Sequence, residues 1–153
     1  MKFIQSINNV SVWVHSLPGQ TCFPELPFND EPYLCVLVNF HYHIDDEFEA
    51  EFAKQLILSN CDYVCCAGIE SEHWHDCIDE IAVWLQTHDP EADEDKYFLM
   101  TTWHDDDEVD DILNFIFILP LIDEETPKHY LVMFLGENPA EENRYLEGIR
   151  NYA

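Results

Sequence analysis

Histidine and carboxylate side chains are concentrated in the segments that follow three apolar runs of this sequence, at 33–40, 62–69 and 97–102. Imidazole nitrogens and carboxylate oxygens are ligands that proteins offer to Zn²⁺, Mn²⁺ and Fe²⁺. A divalent metal ion held there would activate a water molecule as nucleophile, with Glu70 or Glu72 as the general base. One interpretation is therefore a metal-dependent hydrolase or a metal-binding domain. The candidate metal ligands are His41, His43, Asp45, His73, His104 and Asp105.

The same residues also have a purely structural interpretation. A His-x-His pattern arises readily by chance, and the chain has no HExxH zinc-binding helix. Acidic residues in the first turn of a helix stabilise the helix dipole by about 0.3–1 kcal/mol each, in any protein. Histidines at loop edges commonly hydrogen-bond to a neighbouring carboxylate. The metal site and the structural roles are therefore alternatives for the same side chains.

A cysteine nucleophile is a third interpretation. Cys66 lies near the end of the second apolar run, and His73 or His75 would serve as its base. Adjacent cysteines within an apolar run are more typical of core thiols, however. The chain has no GxSxG nucleophile elbow and no glycine-rich phosphate loop of the GxGxxG or GxxxxGK[ST] type. No nucleotide cofactor is therefore predicted.

The charge of the chain favours a basic protein partner. Asp and Glu number 32 against 6 Lys and Arg, which gives a formal net charge of −26. Direct binding to nucleic acid or to anionic lipid requires clustered basic residues, so neither is expected. In composition alone, the chain is similar to immunity proteins, antitoxins and DNA mimics that neutralise basic proteins. The candidate partner-binding residues are Trp103, Asp105, Asp106, Asp107, Glu108, Asp110 and Asp111.

Alternating strand and helix patterns must position these side chains. Apolar runs of the kind that are buried on both faces of a sheet alternate with segments of helical spacing. Asn138, Pro139 and Glu141 provide the clearest helix start, and Asp46 with Glu49 suggests a capping box for the first helix. Strands are predicted at 33–40, 62–69, 97–102 and 129–135, and helices at 46–59, 72–87, 109–120 and from 139 onward.

These elements predict a single α/β domain over 1–153. Residues 1–31 would supply an N-terminal edge strand at 10–15 and a proline-rich excursion, and residues 32–153 would form four β–α units. The expected architecture is a three-layer α/β/α sandwich, Rossmann- or flavodoxin-like, with a mostly parallel sheet of about four to five strands. In such sheets, ligands bind beyond the carboxyl ends of the strands, where the strand order reverses.

The location expected from the sequence is the cytoplasm. The first residues lack the apolar core of a signal peptide, and the chain has no run of 18 apolar residues. The six cysteines form no CxxC pair, so reduced thiols are expected. The preferred interpretation is an interaction protein without a cofactor, and the alternative is a protein that binds a divalent metal ion.

Overall fold

Six strands and four helices make up the protein in a computed structural model that describes residues 1–152. Ala153, the last residue of the predicted domain, lies outside the described residues. The elements in chain order are β1 (Lys2–Ile7), β2 (Val10–Leu17), β3 (Tyr33–Asn39), α1 (Asp46–Leu58), β4 (Cys61–Gly68), α2 (Ser71–His88), β5 (Met100–His104), α3 (Val109–Ile122), β6 (His129–Leu135) and α4 (Pro139–Arg150).

The strands form one sheet in the order β1-β2-β6-β3-β4-β5. All neighbouring strands run parallel except β1 and β2, which are antiparallel. The predicted α/β sandwich with a mostly parallel sheet is thus confirmed, with six strands instead of four or five. Every residue of β3 is buried, because β3 has a strand on each side and helices over both faces.

The two faces of the sheet carry separate apolar cores. Helices α1 and α2 cover one face, where Phe52 and Trp74 are buried. Helices α3 and α4 cover the other, where Ile116 and Tyr145 are buried. The neighbouring strands β3 and β6 are therefore followed by helices on opposite faces, which makes the carboxyl ends of β3 and β6 the point where the strand order reverses.

The prediction of an edge strand at 10–15 was wrong in its position. This segment is β2, which lies inside the sheet between β1 and β6, and β1 is the edge strand. The sequence pattern of β1 is polar enough to be missed, with three of its six residues being Lys, Gln or Ser. The sequence signal that could have revealed β1 was the pair Asn8 and Asn9, which is typical of a tight hairpin turn. In the structure, these residues have positive φ angles of 51° and 66° and form the turn between β1 and β2.

Two local predictions near the candidate site also need correction. The strand predicted at 97–102 begins at Met100, because a turn precedes it in which the Phe98 N–H donates to the Asp95 carbonyl at 3.1 Å. Trp103 and His104 therefore belong to the strand. The capping box predicted for Asp46 and Glu49 is also corrected. The N-cap of the first helix is Asp45, whose side chain accepts the Phe48 N–H at 3.1 Å.

Pro120 does not end α3 as predicted, since the helix continues to Ile122. In a helix, the N–H of residue 120 would donate to the carbonyl of Ile116, four residues earlier. Proline has no N–H, so this carbonyl lacks its usual donor. The hydroxyl of Tyr130, on the adjacent strand β6, donates to this carbonyl at 2.8 Å. Tertiary structure thus supplies the hydrogen bond that the helix lacks.

Replacing Tyr130 with phenylalanine should therefore destabilise the protein. The change leaves a buried carbonyl without a donor, and we expect the free energy of unfolding to fall by about 1–3 kcal/mol in urea denaturation. Tyr42→Phe is the matched control, because Tyr42 is 78% exposed, and its effect should stay within about 0.5 kcal/mol. Equal effects of the two changes would contradict the role of the Tyr130 hydroxyl.

Candidate functional site

The point where the strand order reverses is occupied by the side chain of His41. Asn39, the last residue of β3, is fully buried, and its amide donates to the carbonyls of His41 at 3.0 Å and Ile69 at 2.7 Å. Its side-chain oxygen accepts the His41 N–H at 3.0 Å. Gly136, after β6, has a φ of 90°, and a Cβ atom there would lie 3.2 Å from the imidazole ring. The crevice is thus filled by a ring whose Nε2 is buried without a hydrogen-bond partner among residues 1–152.

A small cavity of about 260 Å³ opens beside this crevice, beyond β3 and β4. The Nε2 atom of His73, on α2, lies 2.9 Å from the buried carboxylate of Glu49, on α1. The pKa of the Cys77 thiol is raised to about 12. Burial is the largest cause, and the nearby Glu49 carboxylate is the second. The His73–Glu49 contact joins two helices, so it has a structural role of its own. The residues lining the cavity are Tyr42, His43, Ile44, Glu49, Glu70 and His73.

The ring of His104, at the end of β5, already has a partner on each nitrogen. Its Nδ1 lies 2.7 Å from Asp107 Oδ2, and its Nε2 lies 2.9 Å from Thr102 Oγ1. Asp105 accepts a hydrogen bond from the hydroxyl of Ser71, at the start of α2. These contacts attach the segment after β5 to the strand and to α2.

The predicted metal ligands lie in four separate places. His41 is in the crevice, His43 and His73 line the small cavity, and His104 with Asp105 lies at the end of β5. Asp45 caps α1. Residues 1–152 contain no group of three or more His, Cys, Asp or Glu side chains placed to hold a metal ion. The physical reason is that β3 and β5 are two strand spacings apart, roughly 10 Å, with β4 between them.

The alternative of a cysteine nucleophile is not supported by the geometry. Cys66 is fully buried, and burial raises the pKa of its thiol well above the ordinary value, which keeps it protonated. His73 is bound to Glu49, and His75 lies 3.1 Å from Asp76 and 3.5 Å from Asp79. Cys66 therefore behaves as an apolar core residue.

The predicted partner-binding residues are nearly consecutive in the chain, and we call them together the acidic face: Trp103 and the carboxylates of 105–111. All six carboxylates are exposed, and Trp103 is 47% exposed with its ring 4.6 Å from that of His75. Glu108 is the N-cap residue of α3, and its N–H donates to Asp111 Oδ2 at 3.2 Å. The segment is thus held at several points while its charges face solvent.

Few of the carboxylates are neutralised by basic side chains. Within residues 1–152, Lys and Arg form two ion pairs, Lys96 with Asp89 at 2.6 Å and Arg144 with Glu141 at 3.3 Å. Neither pair involves the acidic face. Among the described residues, the acidic face thus forms no ion pair with Lys or Arg, and the basic side chain to be noted near it is Arg144, which lines a cavity with Glu108 and Asp110.

Fold and site together define a mixed α/β sandwich with an acidic face at the carboxyl end of its edge strand β5. The chain belongs to the family described as a domain of unknown function, DUF7684, which matches residues 12–151. Strand β1 lies ahead of the matched residues. Comparisons with curated proteins and with solved structures found no match.

Proposed function

We propose that this protein is a non-catalytic interaction protein that binds a basic protein partner through the acidic face. The observation that carries this proposal is the exposure of six carboxylates, within seven residues, next to a half-exposed tryptophan. A dense patch of one charge accelerates and orients the approach of an oppositely charged partner. A tryptophan at its border provides the apolar anchor typical of binding hot spots.

The internal contacts of the acidic face support this role. Asp105 is hydrogen-bonded to Ser71 and Asp107 to His104, so two side chains of the segment are already held by contacts within the protein. A surface that is already ordered loses less conformational entropy on binding. Asp106 and Asp110 are exposed and take no part in these ties. The charge of Asp106 is thus available to a partner, and Asp110 faces a cavity that Arg144 also lines.

A cytoplasmic location fits this proposal. All six cysteines are unpaired, and four of them are buried as core residues, as expected in a reducing compartment. Among the described residues, no helix has the length and apolar character needed to cross a membrane. The alternative of a metal-dependent hydrolase is not carried forward, because its candidate ligands are spread over four places.

Neutralising Asp106 and Asp110 should weaken the binding of a cationic ligand. We expect the Asp106→Asn/Asp110→Asn protein to bind a decalysine peptide about fivefold more weakly in calorimetric titrations at low salt. The matched control is Glu124→Gln/Glu125→Gln, which removes the same charge from an exposed segment at the other end of α3. It should change the dissociation constant by less than about twofold, because screening limits the reach of exposed charges to roughly 10 Å.

Two outcomes would contradict the proposal. Equal weakening in both variants would mean that the peptide responds to the total charge and not to the acidic face. An unmodified protein that binds no cationic peptide even at low salt would remove the basis for a basic partner altogether.

A further inference from the structure

Strand β5 is an edge of the sheet, paired on one side only, with β4. The outer side of an edge strand presents backbone N–H and C=O groups that have no strand partner. Proteins usually protect such edges by bulges, charges or a covering element, since an open edge pairs readily with another chain.

The opposite edge, β1, is protected. Its pairing with β2 is interrupted by an irregularity between Phe3 and Gln5. The side chain of Gln5 donates to the carbonyl of Ile149 on α4, which brings that helix against the strand. Lys2 adds a charge at the start of β1. These are the features that disfavour further strand pairing.

Strand β5 has no bulge and no Lys, Arg, Asp or Glu within its bounds, and exposed apolar side chains lie on it and beside it. Its pairing with β4 is regular from Met100 to His104. Phe98, Met100 and Trp103 are 65%, 48% and 47% exposed. Trp103 lies on the α2 side of the sheet, beside His75, and His104 lies on the α3 side, 5.2 Å from the ring of Phe115. Exposed apolar side chains thus flank this open edge.

A groove of about 390 Å³ continues this surface along α2. Its apolar walls include Val83, Tyr97 and Phe98, and two carboxylates, Asp79 and Glu94, also line it. Asp79 accepts a hydrogen bond from the Thr101 hydroxyl of β5 at 2.7 Å, so the groove and the strand are adjacent. The groove can receive an apolar side chain, and its carboxylates can pair with a basic one.

Carboxylates are present before and after β5 along the chain. Glu94 and Asp95 precede the strand, and the acidic face follows it. A second copy of the chain is a poor occupant of this edge, since two bodies of formal charge −26 repel each other. An extended cationic segment matches both the open hydrogen-bonding edge and the surrounding charge.

We propose that the basic partner binds by adding an extended, Lys- or Arg-rich segment to β5 as a seventh strand. This inference rests on the proposed function and names how the partner is held. Backbone hydrogen bonds to β5 supply one part of the affinity, alternate basic side chains pair with the flanking carboxylates, and apolar side chains cover Trp103 and enter the groove.

The test uses two peptides of the same charge and side chains. One alternates lysine and valine over eight residues, and the other carries N-methyl groups on every second residue, which removes half of its backbone donors. Strand addition predicts that the first peptide binds at least tenfold more tightly. It also predicts that this peptide slows amide hydrogen exchange in β5, measured by NMR, and leaves exchange in β1 unchanged.

Two variants add a matched comparison of the two edges. Trp103 and Phe3 are both 47% exposed and lie on opposite edge strands. Trp103→Lys should weaken binding of the unmethylated peptide at least tenfold, and Phe3→Lys, with the same change of charge, less than twofold. Circular dichroism and thermal unfolding of both variants establish that each is folded before binding is compared.

The outcomes separate this inference from the function on which it rests. If both peptides bind equally, without protection of β5, strand addition is refuted and electrostatic docking on the acidic face stands. If neither peptide binds at low salt, the proposed function fails as well. Concentration-dependent protection of β5 in the protein alone would identify a second copy as the occupant and overturn the inference.

Discussion

Replacing Gly68 with alanine is expected to lower the free energy of unfolding by about 3–5 kcal/mol, which combines backbone strain with overpacking. Gly68 has a φ of 81°, a conformation that residues with a Cβ atom rarely adopt. An added Cβ would also lie 2.3 Å from the carbonyl oxygen of Asn39. That oxygen belongs to the backbone of β3 and accepts the Ile69 N–H at 2.8 Å, so it cannot move without disturbing the sheet.

The matched control for this prediction is Gly19→Ala. The nearest atom to a Cβ at Gly19 would be a methyl carbon of Thr21 at 3.8 Å, an ordinary van der Waals contact. We expect the control to change the free energy of unfolding by less than about 1 kcal/mol. Urea denaturation followed by circular dichroism measures both variants. A Gly68→Ala protein as stable as Gly19→Ala would show that the carboxyl end of β3 tolerates rearrangement.

Removing the side chain of Trp74 is the second change with a large expected effect. Trp74 is 1% exposed, and its ring lies 5.9 Å from that of Phe52. This contact joins α2 to α1 in the core on their face of the sheet. Trp74→Ala leaves a large cavity in this core, and we expect a loss of about 3–5 kcal/mol in the free energy of unfolding. Trp74 directly follows His73 on α2, so the contact between His73 and Glu49 should loosen too.

Trp84→Ala is the natural control, because Trp84 lies on the same helix and is 52% exposed. Its ring stacks on His88 and not in the core, so its removal should cost less than about 1 kcal/mol. Thermal and urea unfolding of the two variants give the comparison. If the two losses were similar, the apolar stripe of α2 would not be the main attachment of this helix to the sheet.

Several elements were predictable because their signals are local. The strand His129–Leu135 has the bounds expected from its apolar run. Helix α4 begins as Asn138 and Pro139 indicate, with the Asn138 side chain accepting the Glu141 N–H at 3.2 Å. The apolar residues of α2 recur at helical spacing, and Trp74, which is one of them, is buried. In each case, a few neighbouring residues contain all the information that the structure uses.

Other features depend on contacts between distant segments. The continuation of α3 past Pro120 relies on Tyr130, which no pattern within the helix reveals. The turn at 95–98 shortens the strand predicted before Trp103 and brings that side chain onto an open edge. The position of β2 inside the sheet depends on a partner, β1, whose own pattern is weak.

The candidate sites show most clearly the difference between features set by local sequence and features set by contacts between distant segments. The acidic face consists of nearly consecutive residues, so its exposure followed from its composition. The metal ligands came from three loops, and whether they meet depends on strand order, which is set by long-range pairing. By itself, the sequence determined the α/β class, most helices and the acidic character of the protein, because these follow from local periodicity and charge. Only the tertiary structure decided that β3 and β5 are separated by β4 and that β5 is an open edge, because parallel strands are ordered by crossovers between distant segments.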